Sequence, residues 1–311
     1  MKSVIYSCIV FLCTLLSLVS CNSSDKPLKF AIVSDLHASA MPDGKERMQA
    51  VVDAANRENV DFLIQLGDFI RLDSVSRSLD SIWNEYEGEK YHVLGNHDLD
   101  AYTKEEFLKG FGIPNRYYSF DKGDFHFIVL DGNNLYDNKE YSHYAKANYL
   151  KAKSDMRAFV DPEQLEWLIN DLAATDKRCI LFSHQSIDSF MNNGDEVRAV
   201  LENANKRAGF KKVVLAFSGH NHSNYTKKIN GITYMQINSA SYVWVGEPTM
   251  TEKRYYDKPL YAIVTLTKDR IDVKGTQADF LPPTPQDLGL GDSIDVYPLV
   301  SIIADAQVDL D

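Results

Sequence analysis

Apolar residues recur along the chain in two rhythms, and the changes between them predict its elements. The run from Leu28 to Val33 is rich in Phe, Ile and Val, which predicts a strand buried on both faces. Met48, Val51, Val52 and Ala55 follow at the i, i+3, i+4, i+7 spacing of an amphipathic helix. Residues 61–66 predict the next strand, 74–86 the next helix and 91–94 a third strand. Such β–α–β–α–β alternation predicts parallel strands joined by right-handed crossovers. In open sheets of that kind, ligands bind beyond the carboxyl ends of the strands.

The rhythm then changes. Residues 117–120 and 125–130, around Asp121-Lys122-Gly123-Asp124, predict a hairpin. Asp161-Pro162-Glu163-Gln164 opens a helix, with Asp161 as N-cap, Pro162 at the first position and Gln164 placed to reach back. Its apolar face is Leu165, Leu168, Ile169 and Leu172. A strand at 178–182, a helix at 196–208 and a strand at 213–217 follow. After these come strands only: 226–229 and 233–237 flank Asn230-Gly231, a strong hairpin signal, and 260–266 and 270–274 flank Lys268-Asp269. No linker divides the body, so two facing sheets covered by helices form one domain over 28–276. The proline-, glycine- and acid-bearing tail, 277–311, predicts an extended wrap of the same domain.

The first residues belong to a different class. Lys2 and the apolar stretch 4–19 match the charged start and core of a signal peptide, and the stretch is too short for a confident membrane span. Leu18-Val19-Ser20-Cys21 resembles the lipobox of bacterial lipoproteins. That resemblance implies removal of residues 1–20, lipid on Cys21 and a tether over 21–27. It also implies an exported protein, anchored to a membrane on the periplasmic or outer-membrane face of the bacterial envelope. An ordinary secretory signal with a chance cysteine is the alternative. Cys8 and Cys13 leave with the signal, and Cys179, inside an apolar run, is expected as a small buried residue without a disulfide partner.

Bulk composition narrows the function. A chain of 311 residues with 44% hydrophobic composition can bury a large core. A net charge of −11 argues against a broad basic surface for nucleic acid. An anionic substrate therefore calls for a local source of positive field, such as bound metal ions.

The polar residues at the strand ends supply such a source. They are Asp35-Leu36-His37, Gly67-Asp68, Gly95-Asn96-His97-Asp98, Ser183-His184 and Gly219-His220-Asn221-His222. Five of the chain's eight histidines lie in these segments, where scattered structural histidines would not gather. Carboxylate, imidazole and amide oxygen without thiolate suit Mn, Fe, Zn or Ni, and the donors suffice for two divalent ions if one carboxylate bridges. His92 and His126 sit inside strand runs and are expected to be structural.

Asp-x-His, Gly-Asp, Gly-Asn-His-Asp, His and Gly-His-x-His, in that order, resemble the calcineurin-like metallophosphoesterase superfamily over roughly 30–222. The resemblance implies an α/β fold, a four-layer αββα sandwich of two facing mixed sheets flanked by helices. It implies that Asp35, His37, Asp68 and His222 hold one metal, and that Asp68 bridges to a second completed by Asn96, His184 and His220. A metal-bridging hydroxide would then attack phosphorus. The histidine at position 97 would stand near the leaving-group oxygen, donating a proton or stabilising phosphoryl charge. Asp98 is either the residue that orients His97 or a turn residue. Two departures matter. Purple acid phosphatases carry a ligand tyrosine where this chain has Arg71, so a tyrosinate-bound ferric site is not expected. His184 is followed by Gln185 and Ser186 rather than by proline.

Two stretches are candidates to choose the substrate. Residues 132–160 are long for a connection and hold Tyr136, Tyr141, His143, Tyr144 and Tyr149 with Lys146, Lys151, Lys153 and Arg157. Tyr144 joins Asn96 and His97 as a candidate substrate contact; a solvated loop with its tyrosines packed down is the alternative. Residues 239–248, with Tyr242 and Trp244, form a second candidate wall. The motif order also resembles the cyclic-nucleotide phosphodiesterases and the manganese-dependent ADP-ribose/CDP-alcohol diphosphatases. It implies a small phosphorylated substrate, a phosphodiester or nucleotide-type pyrophosphate. A phosphomonoesterase, or a non-catalytic binding protein on the same scaffold, remains open.

Overall fold

The computed structural model describes residues 26–71, 76–245, 252–294 and 297–310. The expected signal peptide, Cys21 and most of the tether lie outside these. The chain opens with β1 (Leu28–Val33), α1 (Gly44–Arg57), β2 (Phe62–Gln65), α2 (Ser76–Trp83) and β3 (Glu89–His92), with β1, β2 and β3 parallel. Next come α3 (Lys104–Phe111) and the hairpin β4 (Tyr118–Lys122) and β5 (Phe125–Leu130). A small ribbon, β6 (Asn134–Tyr136) and β7 (Tyr141–His143), leads to α4 (Pro162–Ala174), β8 (Arg178–Ser183), α5 (Gly194–Ala208) and β9 (Val213–Ser218). The rest is β10 (Tyr225–Ile229), β11 (Ile232–Gln236), β12 (Tyr242–Val245), β13 (Glu252–Tyr255), β14 (Ala262–Leu266), β15 (Arg270–Gly275), β16 (Ser293–Ile294), β17 (Tyr297–Pro298) and β18 (Ala306–Asp309).

Two six-stranded mixed sheets result, ordered β18-β15-β14-β1-β2-β3 and β10-β11-β9-β8-β5-β4. The period-two alternation of a strand explains their stacking. Phe30 and Ile32 of β1, Phe62 and Ile64 of β2, Phe127 and Val129 of β5, and Ile180 and Phe182 of β8 all enter one core between the sheets. Ala31 and Val33 point the other way, under Met48, Val51 and Val52 of α1. Ile128, Leu130 and Leu181 likewise meet Leu168 and Leu172 of α4 and Val197 and Leu201 of α5. The layers are thus helix, sheet, sheet, helix, as the sequence led us to expect. Phe30 is the pivot. Its ring stacks on Phe62 at 4.7 Å and meets the edges of Phe127, Phe182 and Phe217 at 5.8–6.2 Å. Contacts of that geometry add about 0.5–1.5 kcal/mol each beyond burial.

The structure revises some local expectations. Asp161 caps α4 through Gln164 N at 3.0 Å, but the Gln164 side chain turns to the Asp131 backbone instead of reaching back. Ile169, expected on the buried face of α4, is 43% exposed. The tail is more than a wrap, because β18 pairs with β15 as the outer strand of the first sheet. Residues 239–248 contain β12, which pairs with β13, a strand the sequence did not signal. At Asn230-Gly231 the expected turn is present, with φ of 48° and 87° as a two-residue hairpin turn requires.

Candidate metal centre

The parallel strands of both sheets run so that their carboxyl ends meet at one rim, and the polar motifs follow directly on β1, β2, β3, β8 and β9. Close backbone approach makes the rim compact. Gly67 and Gly95 face each other so tightly that a Cβ on Gly95 would lie 2.1 Å from Asp68 N, and one on Gly67 would lie 2.6 Å from Gly95 N. Asp35, His37, Asp68, His220 and His222 all adopt left-handed φ, between 47° and 71°. Such conformations cost a non-glycine residue of order 1–3 kcal/mol and gather where surrounding structure imposes them for function.

The side chains form two clusters. Asp35, His37 and His222 each offer one ligand atom within 4.8 Å of the others, and Asp68, His184 and His220 do the same. Asp68 stands between them: its Oδ2 is 3.3 Å from His184 Nε2 and 3.8 Å from His37 Nε2, while Oδ1 accepts from His97 N at 2.7 Å. Asn96 Oδ1 lies 3.1 Å from His184 Nε2, which places the amide oxygen at the second cluster. Backbone carbonyls aim the rings. Leu66 O is 2.8 Å from His184 Nδ1 and Tyr242 O is 2.8 Å from His222 Nδ1. A carbonyl only accepts, so each Nδ1 carries a proton and each Nε2 faces inward.

The donor set fits divalent cations. It has carboxylate, imidazole and amide oxygen and no thiolate. Two of its buried atoms, Asp35 Oδ1 and His37 Nε2, make no hydrogen bond. Asp35 Oδ1 is 3.2 Å from His222 Nε2, within ion-pair reach, but the angles leave it without a hydrogen bond. Unpaired buried polar atoms are costly, and a shared cation would satisfy both. Protonation states agree. Burial opposes ionisation of Asp35 and Asp68, but His222 and His184 beside Asp35, and His184 and His97 beside Asp68, outweigh it and hold both carboxyls below their ordinary range. Burial pushes His37 and His220 down to about 3, leaving neutral, ligand-competent imidazoles. Burial also disfavours the charged form of His184, yet Asp68 and Asp35 raise it to about 9, so its Nε2 carries a proton that a bound cation would displace.

His97 stands at the mouth of the site. Its Nδ1 is 2.8 Å from Asp100 Oδ2 and 3.2 Å from Tyr149 Oη, and Tyr149 Oη donates to Asp100 Oδ1 at 2.7 Å. Asn96 Nδ2 donates to the same phenol at 3.2 Å. Burial alone would lower the His97 pKa, but Asp68 and Asp100 raise it.

Two expectations need correction here. Asp98 does not touch the His97 ring. It is buried and accepts from Asp68 N, Phe69 N and Gly95 N at 2.8–3.1 Å, clamping two strand ends together. Burial and the charge of Asp68, against those N–H bonds, bring its carboxyl up to about 7. The carboxylate at His97 is Asp100, and the short 3-10 turn at 97–99 places it there, since residues three apart lie on one side. Tyr144 is not at the site either. It is buried behind Tyr149, stacked on it at 4.8 Å, with its hydroxyl accepting from Ala158 N at 2.8 Å. Tyr149 is the residue of the 132–160 stretch that reaches the site. Of the second wall, expected over 239–248, Tyr242 and Trp244 line the cleft, and 246–248 lie outside the described residues. Tyr242 stacks on His37 at 5.3 Å, and Trp244 lies 5.9 Å from His222. On the opposite flank the half-exposed Phe190 packs edge-on against His220 at 4.0 Å.

Two adjacent candidate metal clusters at the joined rims of an αββα sandwich define a class of protein, and comparison with known proteins agrees. The calcineurin-like phosphoesterase family profile matches residues 28–224, so the chain belongs to that family. It is 22% identical over 280 residues to a manganese-dependent ADP-ribose/CDP-alcohol diphosphatase of Arabidopsis thaliana, covering 70% of this chain and 88% of that protein. Among solved structures it resembles a dimetal phosphatase from Danio rerio, with TM-score 0.64 and 17% identity over 92% of this chain and 100% of the other. It also resembles GAP50, the anchor in the inner membrane complex of Plasmodium, with TM-score 0.54 and 15% identity over 92% and 89%. Family membership supports phosphoester hydrolysis as the class of chemistry, and the solved structures bear on the fold.

Proposed function

We propose that this protein hydrolyses small phosphodiesters or nucleotide-type pyrophosphates at a dinuclear centre. Asp35, His37, Asp68 and His222 would hold one divalent ion, and Asp68, Asn96, His184 and His220 the other. The observation that carries this reading is the position of Asp68 Oδ2, within 3.8 Å of a histidine nitrogen from each cluster. Two bound divalent ions supply Lewis acidity toward phosphoryl oxygens and a water of lowered pKa. The chain's own residues do the rest. His97, held by Asp100 and Tyr149, presents Nε2 to the leaving-group oxygen as proton donor. Trp244 on one side and Phe190 on the other offer faces for a base or sugar, with the buried Tyr242 ring behind them. The diphosphatase relative, at 88% coverage of its length, supports the pyrophosphate class.

The test is turnover of bis-p-nitrophenyl phosphate, p-nitrophenyl phosphate and ADP-ribose by protein loaded with Mn²⁺. Diester or pyrophosphate cleavage supports the reading, and a preference for the monoester makes the protein a phosphomonoesterase. No turnover with any metal would leave a binding protein. Replacing His97 with Ala should slow the reaction about 10²- to 10⁴-fold with bound metal unchanged. Loss of metal from that variant would contradict the role given to His97.

We further propose, from the Leu18-Val19-Ser20-Cys21 pattern alone, that the chain is exported and lipid-anchored through Cys21, with 21–27 as tether to a domain over 28–276 and its tail. Metabolic labelling with a radioactive fatty acid should mark the wild type and not Cys21→Ala. Equal labelling of both would refute the anchor.

A further inference from the structure

The cleft beside Asp68 and His97 is closed on its far side by two cations and two aromatic rings: Arg71, Lys253, Tyr242 and Trp244. Arg71 arrives three residues after Asp68. Phe69 and Ile70 are buried, and Arg71 N donates to Ser39 Oγ at 2.9 Å, which pins the backbone while the side chain stays exposed. Lys253 comes from β13, directly opposite Trp244 in β12. Its Nζ sits 4.3 Å from the Tyr242 ring centre and 4.7 Å from that of Trp244. Tyr242 in turn stacks on His37, so this cationic wall is continuous with the metal-ligand cluster.

Neither cation has a counter-ion among the described residues. Among the described residues neither Arg71 nor Lys253 makes an ion pair, and the carboxylates lining the same cleft are committed elsewhere. Asp68 serves His97 N and His184, Asp98 serves three backbone N–H groups, and Asp100 serves His97 and Tyr149. Burial and then the charge of Arg71 push the Lys253 ammonium below its ordinary range, so the two cations feel each other. Like charges gathered in a chain of net charge −11, with Lys253 held over the Tyr242 and Trp244 rings and Arg71 exposed beside it, make a receptor for an anion. The guanidinium supplies a planar fork suited to phosphate oxygens and the ammonium supplies a point charge.

We propose that Arg71 and Lys253 form a subsite for the second, non-scissile phosphate of a diphosphate diester. The protein then favours substrates with two linked phosphates over those with one. The inference rests on the hydrolase reading above and narrows it.

The experiment compares wild type, Arg71→Ala and Lys253→Ala, each metal-loaded and checked for equal metal content and melting temperature. Each variant should lose roughly 10- to 100-fold in kcat/KM toward diadenosine diphosphate, while bis-p-nitrophenyl phosphate changes by no more than about twofold. Arg71→Lys should recover part of the loss, since it restores charge without the fork. Binding is read separately through Trp244 fluorescence, with Trp244→Phe to assign the signal. ADP should bind the wild type more tightly than AMP, and Arg71→Ala should erase that difference. Equal losses on both substrates, or an ADP-over-AMP preference that survives in both alanine variants, would overturn the subsite. If the wild type cleaves no phosphoester, the hydrolase reading falls, and the ADP and AMP titrations still decide the subsite.

Discussion

Gly95→Ala is the sharpest test of how the rim is built. The added methyl carbon would lie 2.1 Å from Asp68 N, 2.2 Å from Asp68 Oδ1 and 2.8 Å from Gly67 C. Two of these three atoms are backbone, so no rotamer change relieves the clash; the chain must move about 0.9 Å to reach even a 3.0 Å contact. Overpacking of this kind costs about 1–3 kcal/mol. Displacing Asp68 also weakens its 2.7 Å bond from His97 N, worth roughly 1.5–3 kcal/mol for a charged acceptor. The expected loss is therefore about 2.5–6 kcal/mol, or a fall in melting temperature of about 5–12 °C for a domain of this size. Differential scanning calorimetry in chelator measures it, and elemental analysis after reloading should show less than the wild-type metal. Gly291→Ala is the control, with nothing within 4 Å of its added carbon. A Gly95→Ala protein that melts within about 1 °C of wild type and keeps its full metal content would show that this close approach does not place Asp68.

Other outcomes follow from polar contacts away from the metal cluster. Lys104 is buried with its ammonium 2.5 Å from Asp131 and 2.8 Å from Asn134, at the root of the stretch that carries Tyr149. Lys104→Met leaves the Asp131 carboxylate with Arg116 at 3.4 Å as its one cation and two Asn133 N–H donors at 3.0 Å, and urea denaturation should show a loss of about 3 kcal/mol. A loss under about 0.5 kcal/mol would mean that Arg116 and Asn133 compensate fully. His126 bridges Asp121 at 2.6 Å and Asp171 at 2.8 Å. Burial lowers its pKa, but the hydrogen bonds to Asp171 and Asp121 outweigh burial and raise it. A raised folded-state pKa stabilises fully below the ordinary value near 6.5 and is lost as pH climbs through the raised value. The melting-temperature gap between wild type and His126→Gln should accordingly be wide near pH 5.5 and close toward pH 9; a gap constant with pH would refute the ion pairs.

The strand-end donors were legible because each is written locally: an apolar run, a turn, then Asp, His or Asn. Such a run also marked β1 as a buried strand. Contacts that depend on how distant segments fold together were not. Tyr149 meets His97 across some fifty residues of chain, and nothing in 132–160 distinguishes it from Tyr144, its stacking partner. Asp100 had a readable signal in its i+3 spacing from His97, but the adjacent Asp98 drew attention instead. β13 reads Glu-Lys-Arg-Tyr and β18 reads Ala-Gln-Val-Asp, edge strands too short and polar to announce themselves. The cationic wall was hidden for the same reason: Lys253 acquires meaning only once β13 lies beside Trp244.

The pairing of β1 has a consequence for synthesis. One side of β1 meets β2 almost at once, but the other meets β14, with Ile32 opposite Ala262, and the sheet is finished only by β18 at the far end of the chain. A growing polypeptide therefore carries an open, strongly apolar strand edge until β14 has been made. Assembly of the first sheet is a late event, and premature termination before β14 leaves a product prone to stick to its own kind.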